Sequence, residues 1–188
     1  MGLGLFSNKQ YLLERDLLGR ASSGNAQASK ELILMLTPPA FSLAWRMLGS
    51  KEDAEDIVQE AFVRLWRNAN SFSGNSKLLT YFYSIVNNLC LDKIKSNSRA
   101  SFDDFDENVH GYAESLELEM HDFSRVECIQ KAVDTLTPKQ RMAIMMWAYQ
   151  DLTAKQIGIV MNMSKNGIDQ LLYRAKLKLK EELTGGVK

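Results

Sequence analysis

The chain has 188 residues, 45% hydrophobic and 24% charged, with 3 prolines and 11 glycines. These values suit a soluble globular protein of one large or two small domains and do not suggest low complexity. A formal net charge of zero conceals a division along the chain. Residues 1–100 carry 12 Lys+Arg against 9 Asp+Glu, residues 101–124 none against 8, and residues 125–188 11 against 6. Two mildly basic blocks therefore flank an acidic connector, a distribution compatible with a polyanionic partner. Cys90 and Cys128 lie far apart without a second ligand pair, so neither a disulfide framework nor a metal site is expected. Two small buried thiols in a reducing cytoplasm are expected instead. No apolar run approaches a membrane span, and Lys9, Glu14, Arg15 and Asp16 interrupt the N-terminus too often for a signal peptide.

In chain order, Tyr11 to Leu18 reads as a short amphipathic helix ending near Gly19, followed by a turn from Ser22 to Asn25. A second helix is expected from Ala26 to Leu36. Pro38 and Pro39 should then break the pattern, because proline lacks an amide donor and restricts its predecessor. A third helix presents Phe41, Ala44, Trp45 and Leu48, and Gly49 closes it. Ser50 and Asp53 open the most regular helix of this half, with carboxylates in its first turns and Arg64 and Arg67 at its end, matching the macrodipole. Its apolar stripe is Ala54, Ile57, Val58, Ala61, Phe62, Leu65 and Trp66. Asp53, Asp56, Gln59 and Glu60 are left for solvent or a partner. No histidine lies near these carboxylates, which argues against catalysis.

Ser71 to Lys77 reads as a loop, with Gly74 and Asn75 suited to unusual dihedrals and Phe72 inserted. Thr80 is expected to cap the helix YFYSIVNNLCLDKIK. Tyr81, Phe82 and Tyr83 cannot share one face. An exposed aromatic beside Asn87, Asn88, Lys93 and Lys95 would offer a stacking platform for a single strand, and packing is the plainer account of the same residues. Ser96 to Asp122 reads as an exposed connector without sustained period, and it contains or borders both histidines, His110 and His121.

The last block holds a helix from Arg125 to Asp134, then a capping box at Thr137 and Gln140 with Pro138 in the first helical position. The helix it opens is apolar nearly all round and should centre a small bundle. A second capping box, Thr153 with Gln156, opens a short helix, and Asn162 tolerates the left-handed turn that ends it. Ser164 caps the final helix, whose buried stripe is Ile168, Leu171, Leu172, Ala175 and Leu179. Lys165, Asn166, Asp169, Gln170, Tyr173, Arg174, Lys176, Lys178 and Lys180 line its other side. Such a helix-turn-helix face suits base edges and phosphates, although a solvated amphipathic helix has the same pattern.

Three stretches together resemble the extracytoplasmic-function group of bacterial sigma factors. WRMLGSKEDAEDIVQEAFVRLWR is similar to the region 2 signature, with the D-A-E-D-x-V-Q-E core at Asp53 to Glu60. YFYSIVNNLCLDKIK is similar to the part that follows, with Asn88 and Asp92 at the family's Asn and Asp positions. LTPKQRMAIMMWAYQDLTAKQIGIVMNMSKNGIDQLLYRAKLKLKEEL is similar to region 4. The resemblance implies an all-α protein of two small helical domains: region 2 over residues 1–98, an acidic flexible linker over 99–122, and a region 4 helix-turn-helix domain over 123–188. It also implies a cytoplasmic, non-enzymatic promoter-specificity subunit without cofactor or metal, binding core RNA polymerase and promoter DNA and held by an anti-sigma factor.

By the same resemblance, Asp56, Gln59 and Glu60 would dock on the polymerase clamp. Phe72, Asn75, Ser76, Tyr81, Asn87, Asn88 and Lys93 would take an unstacked base of the minus-ten element, which needs a stacking surface and donors for its edge. Lys165, Asn166, Asp169, Gln170, Tyr173 and Arg174 would contact the minus-thirty-five element. The acidic linker would suit a basic channel of the polymerase. Tyr81 stands where the family usually has Trp, Asp169 where it often has Lys or Arg, and Leu171 where Arg is frequent, so promoter sequence does not follow from family habit.

Overall fold

The computed structural model describes residues 3–100 and 123–185, and these are helical throughout apart from turns and loops. The N-terminal lobe holds α1 (Leu3–Ser22), α2 (Ala26–Leu48), α3 (Lys51–Arg67), a 3-10 turn (Ala69–Ser71) and α4 (Leu78–Ala100). The C-terminal lobe holds α5 (Phe123–Asp134), α6 (Pro138–Tyr149), α7 (Ala154–Met161) and α8 (Lys165–Gly185). Residues 101–122 of the connector, with His110 and His121, lie outside the described residues.

The expected break at the two prolines does not occur. α2 runs through Pro38 and Pro39 as one helix. Each interior proline costs about 3 kcal/mol, yet Leu32, Leu36, Leu43 and Met47 are all fully buried along one stripe that spans the site. Each such side chain contributes roughly 1.5–3 kcal/mol on burial, enough together to hold the helix. The carbonyls that lose partners belong to Leu34 and Met35, both exposed, so water can serve them.

Several local signals elsewhere act as expected, although Gly19 does not end α1, which runs on to Ser22. The Asn25 side chain accepts from the Ala28 N–H at 2.9 Å to cap α2. Gly49 ends that helix at φ 71°, donating to the Trp45 carbonyl. Ser50 accepts from the Asp53 N–H at 3.1 Å to open α3. α4 begins earlier than expected, at Leu78, with Thr80 buried inside its first turn rather than capping it. It also continues through the polar SNSRA stretch assigned to the connector.

α4 packs between α2 and α3 on one side and α6 and α7 on the other. Phe82 meets Phe62 of α3 with ring centroids 4.8 Å apart. On the adjacent side the Tyr83 hydroxyl donates to Gln150 in the link between α6 and α7, and the Arg46 guanidinium of α2 lies 3.8 Å from the centre of the Tyr149 ring. One apolar cluster runs through both lobes, from Leu18 and Leu32 to Met146 and Ile157. The lobes are thus in contact rather than held apart.

The two thiols do not match the expectation of two buried groups. Cys90 is buried in α4, whereas Cys128 is exposed on α5. Burial pushes the Cys90 thiol up to about 12 from 9.0. At pH 8 a thiol reagent should therefore titrate one group per native chain and two after denaturation. The unfolded thiol ionises first on alkalinisation, so the contribution of Cys90 to stability is complete below pH 9.0 and falls away toward about 12. Denaturant midpoints measured across that range check the sign.

Candidate nucleic-acid interface

The C-terminal surface is built from two short helices and a closely packed turn. In the box that opens α7, Gln156 Oε1 accepts from the Thr153 N–H at 2.9 Å, and the Thr153 hydroxyl oxygen accepts from the Gln156 N–H at 3.4 Å. Asn162 ends the helix at φ 53°, ψ 50°, the left-handed geometry that asparagine tolerates. The chain then folds back so tightly that a Cβ placed on Gly158 would stand 2.7 Å from the Met163 carbonyl oxygen. Only glycine fits that approach. Ser164 accepts from the Gly167 N–H at 3.1 Å and starts α8.

In α8, Ile168, Leu172 and Ala175 are buried, while Leu171 and Leu179 lie half-buried at the margin. Lys165, Asn166, Asp169, Gln170, Tyr173 and Arg174 are all exposed. Tyr173 is 69% exposed. Three lysines of the helix have partners inside the protein. Lys165 pairs with Asp169 at 2.7 Å, Lys176 lies 3.3 Å from the centre of the Trp147 ring, and Lys178 donates to the Thr135 carbonyl. A groove of about 480 Å³ beside α8 is lined by Trp147, Asp151, Asp169, Tyr173 and Lys176 among others.

In the N-terminal lobe α3 turns Asp56 and Gln59 to solvent. Glu60 is half-buried and accepts from Arg64 at 2.8 Å. Lys93, half-buried, is held by Asp53 at 2.8 Å, joining α4 to α3. In the loop after α3, Asn75 is exposed and Ser76 half-buried. Phe72 is not a free stacking surface: it is 2% exposed and packs beneath Tyr81, ring centroids 5.3 Å apart. An apolar ring next to a small core is taken inside, and Tyr81, half-buried with its hydroxyl 3.4 Å from the Ser71 hydroxyl, is the aromatic left near the surface. Asn88 is exposed. Asn87 is 3% exposed, donates to the Asn88 side chain at 3.1 Å and leaves its own Oδ1 without a partner. It lies one turn beyond Tyr83, on the side of α4 that faces the other lobe.

Sequence reading missed three residues that shape these surfaces. Gly158 had a visible signal, a glycine inside an eight-residue helix just before a turn. Gln150 and Glu14, whose carboxylate accepts from the Leu78 N–H, act across long separations and had none. Among the described residues no group of three or more His, Cys, Asp or Glu is placed to hold a metal ion, and no helix is long and apolar enough to cross a membrane.

Residues 32–100 match the model of sigma-70 region 2 and residues 126–179 that of sigma-70 region 4. The ECF RNA polymerase sigma factor SigW of Bacillus subtilis (strain 168) is 26% identical over 181 residues, spanning 87% of this chain and 93% of its own. The ECF RNA polymerase sigma-E factor of Escherichia coli (strain K12) is 24% identical over 177 residues, 89% of this chain and 92% of its own. Among solved structures, the sigma factor RpoE in complex with the anti-sigma factor NepR from Bartonella quintana aligns with a TM-score of 0.67 at 23% identity, over 85% of this chain and 98% of that one. CnrH in complex with the cytosolic domain of CnrY aligns at 0.65 and 21%, over 92% and 97%.

Replacing Gly158 by Ala should push the turn off α7 and cost roughly 1–3 kcal/mol, as overpacking does. A lowered denaturant midpoint, with affinity for duplex DNA reduced in parallel, is the expected result.

Proposed function

The chain belongs to the sigma-70 family, within its extracytoplasmic-function group, and from that premise we propose how its two lobes share the recognition of a promoter. It is a sigma factor that binds core RNA polymerase and promoter DNA and directs the initiation of transcription. The finer division of labour rests chiefly on the exposed row of Lys165, Asn166, Asp169, Gln170, Tyr173 and Arg174 on a capped helix-turn-helix. Those side chains enter a major groove at the minus-thirty-five element, amides and guanidinium reading base edges.

The α3 face with Asp56, Gln59 and Glu60 docks on the polymerase. The loop from Ser71 to Lys77, with Asn75, Ser76, Tyr81, Asn88 and Lys93, takes a base of the opened minus-ten strand, and Phe72 supports Tyr81 from below. Asn87 joins them once the lobes part. A buried amide oxygen without a partner costs about 1–3 kcal/mol, and separating α4 from α7 would return it to water or to a base. Chemistry stays with the polymerase, in the cytoplasm. The solved relatives RpoE and CnrH are held by NepR and CnrY, and by likeness of fold an anti-sigma factor holds this chain too.

Adding the chain to core RNA polymerase should yield promoter-dependent transcripts; their absence sinks the proposal. Asp56→Arg with Gln59→Ala should weaken core binding by roughly tenfold or more, about 1.4 kcal/mol, with duplex affinity unchanged. Arg174→Ala should cost about 1–3 kcal/mol in binding the minus-thirty-five duplex and relax specificity at one position, read by competition against single-base variants. A dye pair, one on each lobe, should separate when core polymerase is added.

A further inference from the structure

α4 begins without a local cap. Lys77, the residue before it, has no acceptor in its side chain. The Ser76 hydroxyl is turned to the Lys77 carbonyl, and Thr80 is buried within the helix. The leading N–H groups of a helix need acceptors from elsewhere. One arrives from 64 residues upstream, where Glu14 Oε2 of α1 accepts from the Leu78 N–H at 2.6 Å. A carboxylate there also meets the positive end of the helix dipole.

The same face of α1 lies along the loop. Tyr11, Glu14, Arg15 and the buried Leu18 recur at helical spacing. Gly74, at φ +73°, lies so near α1 that a Cβ added to it would stand 3.6 Å from the Tyr11 carbonyl oxygen and 3.7 Å from Arg15 Cδ. From the opposite side, Phe72 and Ser71 hold the loop to Tyr81. The segment is thus fixed at both ends, with Ser73, Asn75 and Lys77 exposed between. α1 precedes the stretch that matches region 2, which starts at residue 32.

We propose that Glu14 is a positioning residue for minus-ten strand capture, holding the loop from Ser71 to Lys77 in its receptive shape through the first amide of α4. This rests on the assignment of that loop to base capture. A loop already ordered loses less conformational freedom when the base arrives, and affinity rises accordingly. Without the Glu14 carboxylate the start of α4 frays, and the loop's second half loses its anchor.

The test uses the full chain bound to core polymerase. Its probe is a fluorescent single-stranded deoxyoligonucleotide selected from a randomised pool for tight binding to that holoenzyme. A series made from it replaces one nucleotide at a time by an abasic site. The captured base is the position where removal most weakens binding to the unaltered holoenzyme. Glu14→Ala should lose roughly tenfold on the parent oligonucleotide, the equivalent of about 1.4 kcal/mol, and almost nothing on the oligonucleotide lacking the captured base. Glu14→Gln keeps the shape and a neutral acceptor. It should show the same selectivity at about threefold, charged hydrogen bonds being roughly twice as strong as neutral ones, and it carries the test if the alanine variant does not fold. Equal losses on both oligonucleotides, or no loss on either, overturn the positioning role. Indifference of the unaltered holoenzyme to every abasic site overturns base capture itself, a distinct result.

Discussion

Helix α4 must be buried on two adjacent sides, and the rest of the molecule is arranged around that constraint. Its Phe82 side closes the N-terminal core against α3, and its Tyr83 side meets the C-terminal lobe at Gln150. What remains is narrow: Asn88 and the polar end of the helix, with Lys93 already tied to Asp53 of α3. Any surface offered to a single strand has to fit in that remainder and in the loop just ahead of it. The loop is therefore short, pinned by Tyr81 and α1, and exposes its residues alternately. Separation of the lobes would give up apolar burial on the Tyr83 side and release Asn87 from an environment that leaves its oxygen unpaired. The two terms oppose each other, which is the condition for an arrangement that a partner can shift.

The local chemistry of the chain was legible wherever cause and effect lie within four residues. Both capping boxes, Thr137 with Gln140 and Thr153 with Gln156, form as their spacing requires. Gly49 and Asn162 both adopt the left-handed conformation at the helix ends expected of them. The failures are those where a distant partner outweighs the local signal. Pro38 and Pro39 are strong breakers, but the stripe from Leu32 to Met47 has enough area to override them. Thr80 looks like a cap, yet the apolar surroundings take it inward and Glu14 does the capping.

The candidate sites divide in the same way. The six positions on α8 are exposed together because a regular stripe fixes which face a helix buries, and that much is written in the spacing. In the loop no period exists to say whether Phe72 points in or out. Its burial depends on Tyr81 covering it, a contact that no local pattern encodes. Cys128, expected inside, is outside because α5 keeps only part of its surface against α8.

Three lysines of α8 are held in place by neighbours. Lys165, Lys176 and Lys178 already lean on Asp169, on the Trp147 ring and on the Thr135 carbonyl. Of these, only the Lys165 charge is offset, by a carboxylate; a cation over a ring or at a carbonyl keeps its charge and gives up freedom of position. A polyanion meeting this face would find two of the cations already placed, with less side-chain entropy left to lose.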